Sequence, residues 1–158
     1  MIKDLMLSYG YSEEDIDGII TSYSLAKLSP ETLEKKIKEN YEFLLRLGYS
    51  KEDIIKMTKI SPNIYGYSIE NMQQKIADME ALGYSKEDII KMTKTQSSIY
   101  SLNIENMQQK IADMESLGYS KEDVIKMAKA QPAIYGYSIE NMQQKIADME
   151  SLGIVKKI

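Results

Sequence analysis

The sequence predicts an all-α protein, a right- or left-handed superhelical α-solenoid of about four two-helix repeats. Three observations lead to this prediction. The decapeptide NMQQKIADME occurs unchanged at 71–80, 106–115 and 141–150, which sets a period of 35 residues (106 − 71). Apolar residues inside each repeat fall at helical spacing, and the helices have capping residues at both ends. One two-helix unit cannot bury its apolar stripe alone, whereas stacked copies bury it against one another.

The repeat boundaries follow from a second motif, Leu-Gly-Tyr-Ser, which stands at 47–50, 82–85 and 117–120. A worn copy closes the series at 152–155, and Tyr-Gly-Tyr-Ser at 9–12 opens a divergent first copy. We therefore expect a single helical-repeat domain over 1–158, in which residues 1–11 are the remnant of a preceding helix. Its units are predicted at about 12–49, 50–84, 85–119 and 120–154.

The second unit explains why a first helix is expected in each repeat. Ser50 is a suitable N-cap, and Asp53 three residues later completes a capping-box pattern, so the helix should run over about 51–60. Pro62 ends it, because the residue before a proline is pushed out of the helical region. The connection that follows has room for little more than one 3-10 turn.

A second helix is predicted to begin at Ser68, its N-cap. Its apolar residues are spaced 3, 4 and 3 and form one stripe at the helical period. Gly83 is the expected left-handed residue after this helix, and Ser85 caps the next helix directly. In the second unit this apolar stripe consists of Ile69, Met72, Ile76 and Met79. In the first unit the second helix is expected to be one turn longer, over 31–46.

Composition excludes most catalytic chemistry. The chain has no cysteine and no histidine, so thiolate metal sites are impossible and the commonest general base is missing. Carboxylates recur in every unit, whereas an active site is normally a single constellation. No Gly-rich phosphate loop and no nucleophile–base pair is found. We expect a non-enzymatic protein with no catalytic residue, no metal and no cofactor.

The sequence also limits location and assembly. No run approaches the about 18 apolar residues of a membrane span, and the start lacks the pattern of a signal or transit peptide. We expect a cytoplasmic or nucleoid-associated protein without a membrane partner. Residues 154–158 offer little polar capping, so a homodimer through this exposed terminal repeat is an open possibility.

Two rows of lysines are candidate nucleic-acid contacts. They occupy two fixed repeat positions opposite the apolar side of the first helix, so stacking would align them along one surface, where they could follow a phosphate backbone. The alternative is a solvated face, in which Glu52 pairs with Lys56. A single arginine, Arg46, counts against tight, sequence-specific duplex binding. The candidates are Lys56, Lys91 and Lys126 in one row and Lys59, Lys94 and Lys129 in the other.

The connections between the helices of a unit vary most among the three full copies. A fixed framework with a variable tip is typical of repeat proteins that bind other macromolecules, although connections also tolerate drift. A protein–protein interaction scaffold that uses 60–68, 95–103 and 130–138 is therefore an alternative function. Tyrosines in these segments could stack on exposed bases, but packing between units, with the hydroxyl reaching water, is favoured. The variable tip residues are Ser61, Asn63, Gln96, Ser98, Gln131 and Ala133.

The unit LGYSKEDIIKMTKISPNIYGYSIENMQQKIADMEALGYS resembles the repeats of the mitochondrial transcription termination factor (mTERF) family. That pattern has a Leu-Gly-Leu/Tyr-Ser start, a proline and two apolar residues after the first helix, and a capped second helix with a leucine-like stripe. The third unit departs from it at Ser97, where proline is expected. The residues that match in kind are Leu47, Gly48, Ser50, Ile54, Pro62, Ile64, Tyr65, Ser68 and Met72.

This resemblance implies an all-helical solenoid whose basic surface holds nucleic acid, usually duplex DNA or structured RNA, in organelle gene expression. The best hypothesis is thus a nucleic-acid-binding repeat module with a role related to transcription. In this hypothesis the two lysine rows contact phosphate. TAL-effector-like DNA-binding arrays also consist of two-helix units of similar period. They usually carry a Gly-Gly pair in the connection, which this chain lacks, so this alternative ranks lower.

Overall fold

The structure is a computed structural model, which describes residues 1–154. Among these residues the regular structure is helical, with no strand, so the predicted all-α class is confirmed. The chain divides into two compact units, Met1–Gln74 and Lys75–Ile158. The assignment of the whole chain to a single domain stays a prediction. The predicted homodimer depends partly on 155–158, which lie outside the described residues, and it too stays a prediction.

The first compact unit contains four complete α-helices, one 3-10 helix and the start of a fifth α-helix. In chain order these are α1 (Ile2–Tyr9), α2 (Glu13–Ile20), α3 (Pro30–Leu47), α4 (Lys51–Ile60), the 3-10 helix Pro62–Gly66 and α5 (Ile69–Leu82).

In its described part, the second compact unit begins with the rest of α5 and continues with the same alternation of helices. The elements are α6 (Lys86–Thr95), the 3-10 helix Ser97–Ser101, α7 (Ile104–Ser116), α8 (Lys121–Ala130), the 3-10 helix Pro132–Gly136 and α9 (Ile139–Ser151).

Serine N-caps fix the starts of the first helices as the sequence predicts. The Ser50 hydroxyl accepts a hydrogen bond from the Asp53 backbone N–H at 3.0 Å, and α4 occupies the expected residues. At Ser85 the reciprocal bond, from the Ser85 N–H to Asp88 Oδ2 at 3.1 Å, closes the capping box. Each such serine satisfies an N–H group that the helix itself leaves unpaired.

Glycine ends the second helices for two reasons, of which the sequence reveals one. Gly83 has the left-handed φ of +116° that was expected. A Cβ atom at this position would also lie 2.8 Å from Cδ1 of Ile125, which is too close for any larger residue without rearrangement. The left-handed backbone therefore favours glycine at position 83, and a larger residue would in addition displace the end of the Ile125 side chain on α8.

The first repeat differs from the others as expected, and it differs further in its connection. Its second helix, α3, has 18 residues, whereas α7 and α9 have 13. Residues 21–28 form turns instead of a 3-10 helix. In this stretch Leu25 is fully buried and Tyr23 is 81% exposed, so the segment still contributes one apolar anchor to the core.

Tyrosine hydroxyl groups join neighbouring repeats inside each compact unit. The Tyr11 hydroxyl lies 2.5 Å from the Tyr65 hydroxyl, and the Tyr84 hydroxyl lies 2.6 Å from that of Tyr135. All four side chains are buried. Packing of the connection tyrosines between repeats is therefore correct, but the expectation that their hydroxyls reach water is wrong for Tyr65 and Tyr135.

Candidate nucleic-acid interface

The lysine rows lie on the exposed side of the first helices. In α4 the buried positions are Ile54, Met57 and Thr58, which leaves Lys56 and Lys59 on the opposite side. The same arrangement recurs in α6 and α8, because these helices share the capping serine and the apolar spacing of α4. All six candidate lysines are exposed to solvent.

One of the two rows is engaged by carboxylates. Lys59 Nζ lies 3.5 Å from Asp15 Oδ2 in the first compact unit, and Lys129 Nζ lies 3.6 Å from Asp88 Oδ1 in the second. Lys94, at the same repeat position, also has an interaction partner. These lysines are therefore not equivalent to free cations, a distinction that the repeat spacing alone did not reveal.

The environment of Asp88 favours its charged form. Burial opposes ionisation of this carboxyl group, but the hydrogen bonds from Ser85 and the nearby Lys129 ammonium outweigh that effect. The pKa of Asp88 consequently lies below its ordinary value, and the carboxylate is charged at neutral pH. The Asp88–Lys129 contact is thus a true ion pair at the pH of most cells.

The other row remains available. Within residues 1–154, Lys56, Lys91 and Lys126 make neither an ion pair nor a hydrogen bond, and the pair between Glu52 and Lys56 considered from the sequence does not form. On α4 a shallow groove of about 350 Å³ lies beside Lys56 and is lined by Glu52, Ile55, Lys56, Lys59 and Ile60. The first helices therefore carry exposed cations without a fixed carboxylate partner.

The lysines of the second helices have a structural role that the sequence analysis missed. The Lys75 ammonium donates a hydrogen bond to the carbonyl oxygen of Leu102, and the Lys110 ammonium donates one to that of Tyr137. Burial lowers the pKa of Lys75. In the first repeat Asn40 occupies the repeat position of Lys75 and Lys110. Its Nδ2 contacts three carbonyl groups of the next connection at 3.0–3.1 Å. These groups satisfy carbonyls at the end of a 3-10 helix and are not free to bind phosphate.

The accessible charge differs between α7 and α8, two consecutive helices of the second compact unit. The helix α8 carries three exposed lysines, whereas the only lysine of α7, Lys110, is held by a carbonyl group. The surface of α7 instead exposes Glu105 and Glu115. Of these two helices, α8 therefore carries the accessible lysines, beside the exposed Glu122, and α7 is acidic. The exposed lysines of α8 are Lys121, Lys126 and Lys129.

The variable tip residues surround the 3-10 helices and are in part engaged in local contacts. Asn63 Nδ2 donates to the Tyr67 hydroxyl at 2.9 Å, and Gln96 Nε2 donates to Ser98 Oγ at 2.7 Å. Ser61 has a partner as well, while Gln131 and Ala133 are half-buried. All six tip residues are thus held by a local contact or partly covered, and Asn63 and Ser98 are the most exposed of them.

Among residues 1–154, no group of three or more acidic, cysteine or histidine side chains is arranged to hold a metal ion. No helix in the same range combines the length and apolar character needed to cross a membrane.

Paired helices with the same serine caps, the same 3-10 connections and the same buried tyrosine contacts define the class of this protein as a tandem repeat protein of two-helix units. A model of the mTERF family matches residues 18–150, which is most of the chain. The protein therefore belongs to the mTERF family, and the resemblance seen in the sequence is confirmed. Members of this family are in general non-enzymatic nucleic-acid-binding helical repeat proteins. A search among curated proteins gives no match.

Proposed function

We propose that this protein is a non-enzymatic module that binds the phosphate backbone of DNA or RNA through the first helices of its repeats, in a process related to transcription. We further propose a cytoplasmic or nucleoid-associated location, where it would meet such nucleic acid. The proposed contacts are Lys56, Lys59, Lys91, Lys94, Lys126 and Lys129.

One observation carries the proposal. Lys56, Lys91 and Lys126 share one repeat position, are exposed, and make no ion pair or hydrogen bond within residues 1–154. Contacts from lysine to phosphate fix the position of a nucleic acid but carry no sequence information. The proposal therefore predicts binding that tolerates changes of sequence. The burial of Tyr65 and Tyr135 supports contact with phosphate rather than with bases, because these rings have no exposed face on which a base could stack.

The first test is fluorescence anisotropy of labelled duplex DNA, single-stranded DNA and RNA at salt concentrations from about 50 to 200 mM, the range in which phosphate contacts weaken steeply. The variant Lys56→Ala/Lys91→Ala/Lys126→Ala should bind more weakly than the native chain. Its plot of log affinity against log salt for duplex DNA should be flatter by up to about 2.7, since each lost phosphate contact removes about 0.9.

A matched control removes the same charge from the same helices. Lys51, Lys86 and Lys121 are exposed at the first position of α4, α6 and α8, about 140° around the helix from the row under test. Substituting these three by alanine should alter affinity less than the test variant does. Equal losses from both triple variants would contradict the assignment of the row and would indicate a general effect of net charge.

A protein-interaction scaffold is the second candidate, favoured by the exposed Ile60, which is 75% accessible and adjoins the variable tip at Ser61. The same experiment separates the two functions. Absence of binding to every nucleic acid probe at 50 mM salt would reject the first proposal and direct the search to a protein partner at the connections.

A further inference from the structure

We propose that Asp15 and Asp88 compete with nucleic-acid phosphate for Lys59 and Lys129, and that they thereby limit the affinity of the surface described above. This inference rests on the proposed function. It assigns these two aspartates, which belong to the helix caps, a second role as determinants of affinity.

The geometry of the second compact unit supports such a competition. Asp88 is held at the start of α6, where its Oδ2 accepts the N–H of Ser85 at 3.1 Å, and its Oδ1 faces Lys129 Nζ at 3.6 Å. The Asp88 side chain is 24% exposed and the Lys129 side chain 46%. The carboxylate is therefore the fixed partner, and the lysine is the partner that solvent and an incoming phosphate can reach.

The same contact occurs independently in the first compact unit. Lys59 is 48% exposed, and its partner Asp15 is 26% exposed and also stands in the first turn of its helix. Exposed ion pairs of this kind are weak, so a phosphate can displace the carboxylate by rotation of the lysine side chain alone. Until it is displaced, the carboxylate neutralises the ammonium and reduces its attraction for phosphate.

Lys126 provides the internal reference for this effect. It lies three residues before Lys129 on α8, so both side chains project from the same side of the helix. Among the described residues Lys126 has no carboxylate partner, whereas Lys129 has Asp88. At these two positions α8 therefore offers one free cation, Lys126, and one that is held, Lys129.

Asp123 supplies a matched control residue. It occupies the repeat position of Asp88 one unit later and forms the same capping box, with its Oδ2 accepting the N–H of Ser120 at 3.4 Å. In the part of the chain that the structure describes, Asp123 has no lysine partner. Asp88→Asn and Asp123→Asn hence change the net charge equally and keep an amide oxygen for the cap, but only Asp88→Asn releases a lysine.

The experiment measures binding of a labelled duplex and of a labelled RNA by five proteins at about 50 mM salt. They are the native chain, Asp88→Asn, Asp123→Asn, Lys129→Ala and the double variant Asp88→Asn/Lys129→Ala. We expect Asp88→Asn to tighten binding about threefold, within the range that loss of one exposed ion pair can produce, and Asp123→Asn to change it less. The gain from Asp88→Asn should disappear in the Lys129→Ala background. Thermal unfolding followed by circular dichroism verifies that every variant is folded.

Two results would overturn the inference. Equal gains from Asp88→Asn and Asp123→Asn would show that only net charge matters, and a gain that persists without Lys129 would show that Asp88 does not act through it. These results leave the proposed function intact, because they require binding by the native chain. Failure of the native chain and of Asp88→Asn to bind either probe would instead reject the proposed function, and this inference with it.

Discussion

At the scale of single residues, a chain of hydroxyl groups connects neighbouring repeats, and it is longer in the first compact unit than in the second. Tyr11 contacts both Tyr65 and the hydroxyl of Thr58, each at 2.5 Å. Among the described residues, the Tyr84 hydroxyl has a hydrogen bond with the Tyr135 hydroxyl alone. Burial raises the pKa of Tyr84, so its hydroxyl stays protonated and needs a hydrogen-bond partner at any ordinary pH.

This difference predicts unequal effects of two equivalent substitutions. Tyr135→Phe leaves the Tyr84 hydroxyl buried without a partner among the described residues, because Ala128 occupies the repeat position of Thr58. It should lower the free energy of unfolding by about 1–3 kcal/mol. Tyr65→Phe should cost about 1 kcal/mol, since the other tyrosine keeps its bond to Thr58. Urea denaturation at equilibrium measures both.

A rescue variant tests the cause of that difference. Ala128→Thr restores a hydroxyl group at the repeat position of Thr58 and should recover part of the stability lost in Tyr135→Phe. Equal losses from Tyr135→Phe and Tyr65→Phe, or no recovery by Ala128→Thr, would contradict the explanation by an unpaired hydroxyl.

At the scale of elements, the 3-10 connection forms with and without the proline that the sequence pattern calls for. The backbone before it has φ −130° and ψ 75° at Ser61, and φ −137° and ψ 70° at Gln96, although the next residue is Pro62 in one case and Ser97 in the other. The buried Ile99 and Tyr100 recur in every full repeat as an Ile-Tyr pair. The helix therefore ends in the same way without proline, and the buried Ile-Tyr pair is the feature that all three connections share.

Restoring the missing proline should accordingly stabilise the protein. Ser97→Pro reduces the freedom of the unfolded chain at a position where Pro62 and Pro132 already take the same backbone, and we expect a gain of about 0.4–1 kcal/mol. Ser98→Pro is the control, because it forces residue 97 out of the helical region and should destabilise. Thermal unfolding of both variants gives the sign, and a loss in both would show that the Ser97 side chain matters more than the backbone.

At the scale of the whole molecule, the local rules of helix capping predict most of the fold. The bounds of α4 and the left-handed Gly83 follow from the order of residues alone, because caps and turns depend on neighbours in the sequence. The pairing of Lys59 with Asp15 could not be predicted in this way, since it depends on how α2 packs on α4. The structural role of Lys75 could have been predicted from one signal in the sequence, because Lys75 adjoins Ile76 at the edge of the apolar stripe.

Charged side chains are distributed unevenly between the first and the second helices of the repeats. The net charge is −4, but acidic side chains such as Glu70, Glu105 and Glu140 stand exposed at the starts of the second helices, whereas the uncommitted lysines stand on the first helices. Exposed charges act over about one Debye length, about 8 Å at physiological salt. The charge near the lysine row should therefore govern the proposed binding more than the net charge of the chain does.

This argument predicts that neutralising acids at the starts of the second helices has little effect at physiological salt. Glu70→Gln/Glu105→Gln/Glu140→Gln raises the net charge by three, from −4 to −1, yet should tighten nucleic-acid binding less than about twofold at 0.15 M salt. At 0.01 M salt, where the Debye length reaches about 30 Å, the same variant should bind clearly more tightly than the native chain. Anisotropy titrations at the two salt concentrations measure both effects. A gain of equal size at 0.15 M and 0.01 M salt would indicate that these glutamates lie beside the bound nucleic acid, and that the second helices form part of the interface.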